Sequence, residues 1–162
     1  MAEHEGFRLL DCTLRDGGYI NNWAFDETLA EELARAAQDS GVDILEAGYL
    51  SHDPAAPLCR RCDQAFLDRL RQAAPGLELA AMLEADTAGE DFGEAAQTGL
   101  SILLVALHRD KVVKTLPKLE RYHRQGYRVF IQLMGITAYS DEELDRVLDA
   151  VAQSGAADCV SG

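Results

Sequence analysis

Residues 9–18 read "LLDCTLRDGG". Two leucines open a short apolar stretch. Polar residues then arrive together: Asp11, Thr13, Arg15 and Asp16, followed by Gly17 and Gly18. Charged side chains are rarely left unpaired in a core, so this strand must end where something polar meets it. Two readings are open. One is a strand-end salt bridge with a glycine turn. The other is a ligand site, in which the Arg15 guanidinium forks onto a carboxylate or enolate oxygen. Asp16 would then offer a hard oxygen to Mg²⁺ or Mn²⁺. Gly17 and Gly18 would let the backbone approach the ligand.

The rest of the chain says what kind of fold holds that strand. Short apolar runs at 8–12, 42–47, 77–83, 101–107 and 127–134 alternate with segments of helical period. In "DETLAEELARAAQDSG", Leu29, Leu33, Ala36 and Ala37 fall on one face and Asp26 is the N-cap. "CDQAFLDRLRQAAPG" aligns Phe66, Leu67 and Leu70 and stops at Pro75-Gly76. "SDEELDRVLDAVAQSGA" opens with Ser140 and places Glu143 three residues on, a capping box, with Leu144, Val147, Leu148 and Val151 as its apolar stripe.

One punctuation recurs: Gly41, Gly99, Gly126 and Gly155 each precede an apolar strand. Glycine suits a left-handed helix C-cap, after which a strand begins. Strand and helix in alternation predict a parallel sheet with helical crossovers. The strands are near-continuously apolar, as befits a sheet covered on both faces. Two architectures fit, an open doubly wound sheet or part of a (β/α)8 barrel. Five βα units are visible, and "ADCVSG" at 157–162 reads as a sixth strand. A full barrel needs ~250 residues, so the expectation is a single α/β domain over 1–162, a partial TIM barrel truncated after about strand six.

Composition narrows the partners. The 162 residues are 48% hydrophobic and 27% charged, with a net charge of −13. Such a field repels a phosphate backbone, so no nucleic acid is expected. The longest apolar run, 102–107, is far short of the ~20 residues of a membrane span. "MAEHEGF" lacks the basic and apolar regions of a secretory signal. No membrane partner and a cytoplasmic location are therefore expected. Cys59 and Cys62 form a CxxC, but no second pair or His pair completes a zinc site. They read as two reduced thiols at a helix start or, less simply, a redox pair.

The octet "DCTLRDGG" resembles the D-x-T-L-R-D-G signature of the metal-dependent carbon–carbon lyases and synthases built on a TIM barrel. That superfamily, the DRE-TIM metallolyases, includes 4-hydroxy-2-oxovalerate aldolase, hydroxymethylglutaryl-CoA lyase and isopropylmalate synthase. The extended "DGGYINNW" looks closest to the aldolase branch. The resemblance implies a divalent metal, Mn²⁺ or Mg²⁺, on Asp16, and Arg15 stabilising an enolate oxygen. Asp11 would orient the loop, with Thr13 beside it. Tyr19 falls where the aldolases carry a catalytic His and the other branches a Gln. Glu46 would face the centre, or simply pair with Arg15.

The implied reaction cleaves a 4-hydroxy-2-oxo acid to pyruvate and an aldehyde. Acyl-CoA condensation and a non-catalytic assembly module are the alternatives. The family completes its metal site with an H-x-H or H-x-N pair after strand seven. None of His4, His52, His108 and His123 is spaced that way. His52 and His108 follow strands two and four and could face the site, while His4 and His123 are expected elsewhere. A homo-oligomer or a complementing chain would be the partner of an incomplete barrel.

Overall fold

A computed structural model describes residues 7–162, so His4 lies outside the described residues. Among the described residues, six strands form one sheet: β1 (Leu10–Asp11), β2 (Ile44–Tyr49), β3 (Glu78–Glu84), β4 (Ile102–His108), β5 (Arg128–Met134) and β6 (Cys159–Ser161). Every neighbouring pair is parallel and spatial order equals chain order. A doubly wound sheet reverses its strand order at a switch point. The order here never reverses, so the open-sheet alternative falls away and the sheet curls into a half-barrel. The predicted sixth strand is present as β6. The sheet is short of the eight strands that close a barrel.

The same residues form eight α-helices: α1 (Thr13–Asp16), α2 (Gly18–Asn21), α3 (Glu27–Asp39), α4 (Leu58–Arg61), α5 (Gln64–Ala73), α6 (Ala95–Thr98), α7 (Val112–Arg124) and α8 (Asp141–Ser154). Alternate strand residues point to opposite faces. Leu45, Leu79, Leu103 and Val129 face outward and are buried in the larger core. Ile44, Ala80, Met82, Ile102 and Leu104 form a smaller apolar cluster on the inner face. Both faces are therefore filled, which is why the strands carry little polar alternation.

The caps fall where the sequence puts them. Asp26 accepts from the Leu29 amide at 2.8 Å. Ser140 and Glu143 close the capping box at the start of α8. Gly41, Gly99, Gly126 and Gly155 all take positive φ, from 61° to 86°. Two helix faces differ from expectation. On α3 the buried seam is Ala30, Ala34 and Ala37 with Leu33 beside them, whereas Leu29 is 45% exposed. The alanine seam is one residue out of phase with the bulkier leucine, and small side chains let α3 approach α5 closely. On α8, Leu144, Val147 and Val151 make the i, i+3, i+7 seam. Leu148 sits at its margin, 39% exposed.

The third crossover is not a regular helix. Residues 85–94 form a loop that ends in the single turn α6. Helix α7 holds it in place. The Gly89 amide donates to the Tyr122 hydroxyl at 2.7 Å, and Arg121 donates to the Gly89 carbonyl at 2.9 Å. Gln125 donates to the Asp91 carboxylate at 2.7 Å. No helix among the described residues is long and apolar enough to cross a membrane.

Candidate active site at the strand tips

Arg15 and Asp16 of the opening motif, with Tyr19 after them, line a cavity of about 530 Å³ at the carboxyl ends of the strands, while Asp11 and Thr13 shape the turn behind it. That turn is self-made. The Asp11 carboxylate accepts from the Thr13 amide and the Thr13 hydroxyl, both at 3.0 Å, which folds the chain straight from β1 into α1. Leu14 is wholly buried and anchors α1. Arg15 and Asp16 are left on the cavity side. The two glycines have a packing role. A Cβ on Gly18 would lie 2.1 Å from the Trp23 ring, so that glycine makes room for an indole rather than for a ligand. Trp23 in turn donates to the Arg15 carbonyl at 3.0 Å and locks the loop.

Arg15 is held from two sides. Its Nε donates to Glu46 Oε1 at 2.8 Å, and its terminal nitrogen pairs with Asp16. Glu46 is completely buried, and its second oxygen, Oε2, is buried without a hydrogen-bond partner. Burial pushes the Glu46 carboxyl up to about 7, although the Arg15 guanidinium beside it pulls the other way. Asp16 also accepts from the Cys12 thiol at 3.4 Å, and burial raises that thiol so that it stays a donor.

Strand β2 contributes a second inward residue through an irregularity. Its pairing with β3 shifts register between Glu46 and Tyr49. Gly48 lies in the shift at φ 141°, and a Cβ there would sit 2.0 Å from the Cys59 carbonyl oxygen. Glu46 faces inward by regular alternation, and the bulge brings Tyr49 to the same face. Tyr49 meets Tyr19 hydroxyl to hydroxyl at 2.9 Å. Burial, then the bond to Tyr19, raises the Tyr49 phenol far above its ordinary range, so it is a donor and not a base.

The other expected residues divide. His108, at the tip of β4, lines the cavity with Arg15. His52 does not: it lines a separate cavity, stacks on Phe92 at 4.6 Å, and its Nε2 meets the Asp91 carbonyl at 3.1 Å. His123 lies on α7, 3.8 Å from Asp158. Cavity residues that the motif does not announce are Tyr49, Met82, Glu84, Lys111 and Gln132. Arg60 backs the wall, donating to Glu84 at 3.0 Å. The glycine inside "ILEAGY" was the available signal for Tyr49, since glycine within a strand marks a bulge.

The cysteines of the CxxC are free and buried. Burial pushes the Cys59 thiol up to about 12 and also holds the Cys62 thiol well above its ordinary range. Thiolates are the reactive form, so the pair packs as neutral thiols and the redox reading is set aside.

A divalent ion would need several oxygen donors around it. Asp16 is one carboxylate and is engaged by Arg15. The other acidic groups on the wall, Glu84 and Asp86, are paired with Arg60 and Lys111. Among the described residues no group of three His, Cys, Asp or Glu side chains converges as a metal site. Among the described residues Asp16 is thus at most one ligand of the ion that the motif leads one to expect, and a complete donor set is not among them.

No protein-family model matches the sequence, and no curated protein matches it. Solved structures do. The N-terminal domain of a Bacteroides vulgatus protein described as an aldolase superposes with a TM-score of 0.78 at 24% identity, over 95% of this chain and 53% of that one. The carboxyl transferase domain of Rhizobium etli pyruvate carboxylase, solved with oxamate and biotin, gives 0.69 at 15% identity over 94% of this chain and 30% of that one. A truncated 3-deoxy-D-arabino-heptulosonate 7-phosphate synthase from Thermotoga maritima gives 0.59 at 15% identity, over 95% and 50%. The chain thus spans about half the length of the first of these and under a third of the second. What it shares with them is the fold, a partial TIM barrel of parallel strands with helical crossovers.

Proposed function

We propose that the chain forms the motif-bearing part of a lyase- or transferase-type barrel that breaks a carbon–carbon bond beside a 2-oxo group. The substrate read for it is a 4-hydroxy-2-oxo acid, cleaved to pyruvate and an aldehyde. The observation that carries this is the Arg15–Glu46 pair. A fully buried carboxylate holds a guanidinium by Nε and leaves its fork beside a cavity at the strand tips. The neighbour described as an aldolase supports the reaction class. The carboxyl transferase domain solved with oxamate, which has the shape of pyruvate, supports a 2-oxo acid.

Arg15 receives the negative charge that develops on the 2-oxo oxygen as the C3–C4 bond breaks. A preorganised cation in a partly dry site stabilises that oxygen most when the charge appears. The 4-hydroxyl proton passes to a base on the cavity wall, where His108 is the imidazole. The electron pair of the broken bond moves into the enolate, and the aldehyde leaves. Tyr19 returns a proton to C3, and the enolate becomes pyruvate. Mn²⁺ or Mg²⁺ would add Lewis-acid polarisation, but its further ligands would have to come from outside the described residues.

Arg15→Ala should cut pyruvate release from 4-hydroxy-2-oxopentanoate by about 10²–10³-fold. Unchanged turnover in that variant removes the mechanism. A second reading, an assembly module, has its own observation: β1 and β6 are both edge strands among the described residues. Edges seek partners, so this reading predicts a homo-oligomer or a complex with a complementing chain and no cleavage. A monomer in sedimentation counts against it.

A further inference from the structure

Regular alternation along β2 would put Gly48, not Tyr49, on the inner face after Glu46. The register shift changes this, at the expense of ladder pairing and a glycine-only backbone at φ 141°. Tyr49 is 5% exposed, within the apolar cluster of Ile44, Ala80, Met82, Ile102 and Leu104. A phenylalanine ring would fill that space equally well. The hydroxyl has a different destination, the hydroxyl of Tyr19 at 2.9 Å.

The Tyr49 ring is also clamped from outside. The Arg60 guanidinium lies 4.2 Å from its centroid, a cation–π contact, and is itself fixed by Glu84 at 3.0 Å. Trp23 meets the ring edge-on at 6.1 Å. Tyr19 is the opposite case. It is 65% exposed and touches Trp23 on one side at 4.7 Å. A clamped, buried ring therefore holds an exposed one at the cavity wall through their hydroxyls.

We propose that Tyr49 is a positioning residue: its hydroxyl orients the Tyr19 phenol into the cavity, so that Tyr19 delivers the proton to the enolate carbon. This rests on the cleavage reading above. In the step, the Tyr19 O–H bond breaks and a C3–H bond forms. The enolate electrons close the 2-oxo carbonyl. Tyr49 donates its hydrogen bond to the Tyr19 phenolate oxygen while the charge is there, and water at the exposed edge reprotonates it. Arg60 keeps the Tyr49 ring from turning.

The test uses the reverse of that step. Pyruvate in D₂O exchanges its methyl protons when the enolate forms, and NMR reads the rate without any aldehyde. Tyr19→Phe should lower kcat for exchange by about 10²-fold, the usual scale of a general acid. Tyr49→Phe should lower it by about tenfold, with KM within a factor of about two. Because the two act as a unit, the double variant should be no slower than Tyr19→Phe. Arg60→Met should reproduce the Tyr49→Phe split, and urea midpoints report that each variant is folded. Full kcat in Tyr49→Phe, or a double variant slowed by the product of the two effects, overturns the role of Tyr49. If exchange is lost in Arg15→Ala but intact in Tyr49→Phe, the cleavage reading stands and only this inference falls. No exchange by the wild-type chain, or full exchange by Arg15→Ala, removes both.

Discussion

Glu46→Gln is the substitution whose effect follows most directly from the site. The carboxyl of Glu46 sits wholly buried and titrates at about 7 rather than the ordinary glutamate value of 4.5. Its folded pKa is raised, so the native state holds the proton more tightly than the unfolded chain does. That contribution to stability is fully present below pH 4.5 and disappears as pH rises through 7. Each pKa unit is worth about 1.36 kcal/mol, so the swing is about 3 kcal/mol. The amide of the Glu46→Gln variant has no such titration. The difference in unfolding free energy, wild type minus variant, should therefore fall by about 3 kcal/mol between pH 4.5 and about 8. Urea titrations at half-unit pH steps measure it, and the subtraction removes the other titrating groups. Whatever fixed offset the amide brings at Arg15 leaves the slope untouched. A difference that stays flat, or rises with pH, refutes the placement of a buried, desolvated carboxyl beside Arg15.

Two further outcomes follow from the same wall. Gly48→Ala must fit a Cβ 2.0 Å from the Cys59 carbonyl at φ 141°, so it should cost at least about 2 kcal/mol in urea unfolding. Mn²⁺ titration followed by EPR should show no binding tighter than about millimolar, because Asp16 is paired and no convergent ligand set surrounds it among the described residues.

The fold was legible because its signals are local and repeated. Four of the six strands among the described residues follow a glycine that closes a helix, and Gly41, Gly99, Gly126 and Gly155 all take the left-handed backbone that role requires. Asp26 and Ser140 cap the helices that their spacing announces. Helix faces were less legible. Hydropathy favours Leu29 and Leu148, but a seam is chosen by fit, and on α3 the fit is alanine. The third crossover shows the same limit. A loop over residues 85–94 is stabilised by Tyr122, Arg121 and Gln125 more than thirty positions away, and no local pattern encodes that.

The site divides along the same line. Asp11, Thr13, Arg15 and Asp16 are readable because one turn brings them together, and Asp11 itself makes that turn. His52 and His108 are both placed just beyond a strand, so the sequence treats them alike. The structure parts them, since the loop carrying His52 folds against Phe92 and the tip of β4 faces the cavity. Tyr49 is the sharpest case. A two-residue period places it outside the half-barrel, and the register shift around Gly48 brings it in, at a position where a Cβ would sit 2.0 Å from the Cys59 carbonyl oxygen and only glycine fits. The buried CxxC segment thus has a physical role without any thiol chemistry. Its backbone occupies the space a side chain at position 48 would need, and so holds that position to glycine. Gly48→Ala should therefore disturb more than stability. A Tyr49 ring displaced from under Arg60 would lose both the cation–π contact and the bond to Tyr19.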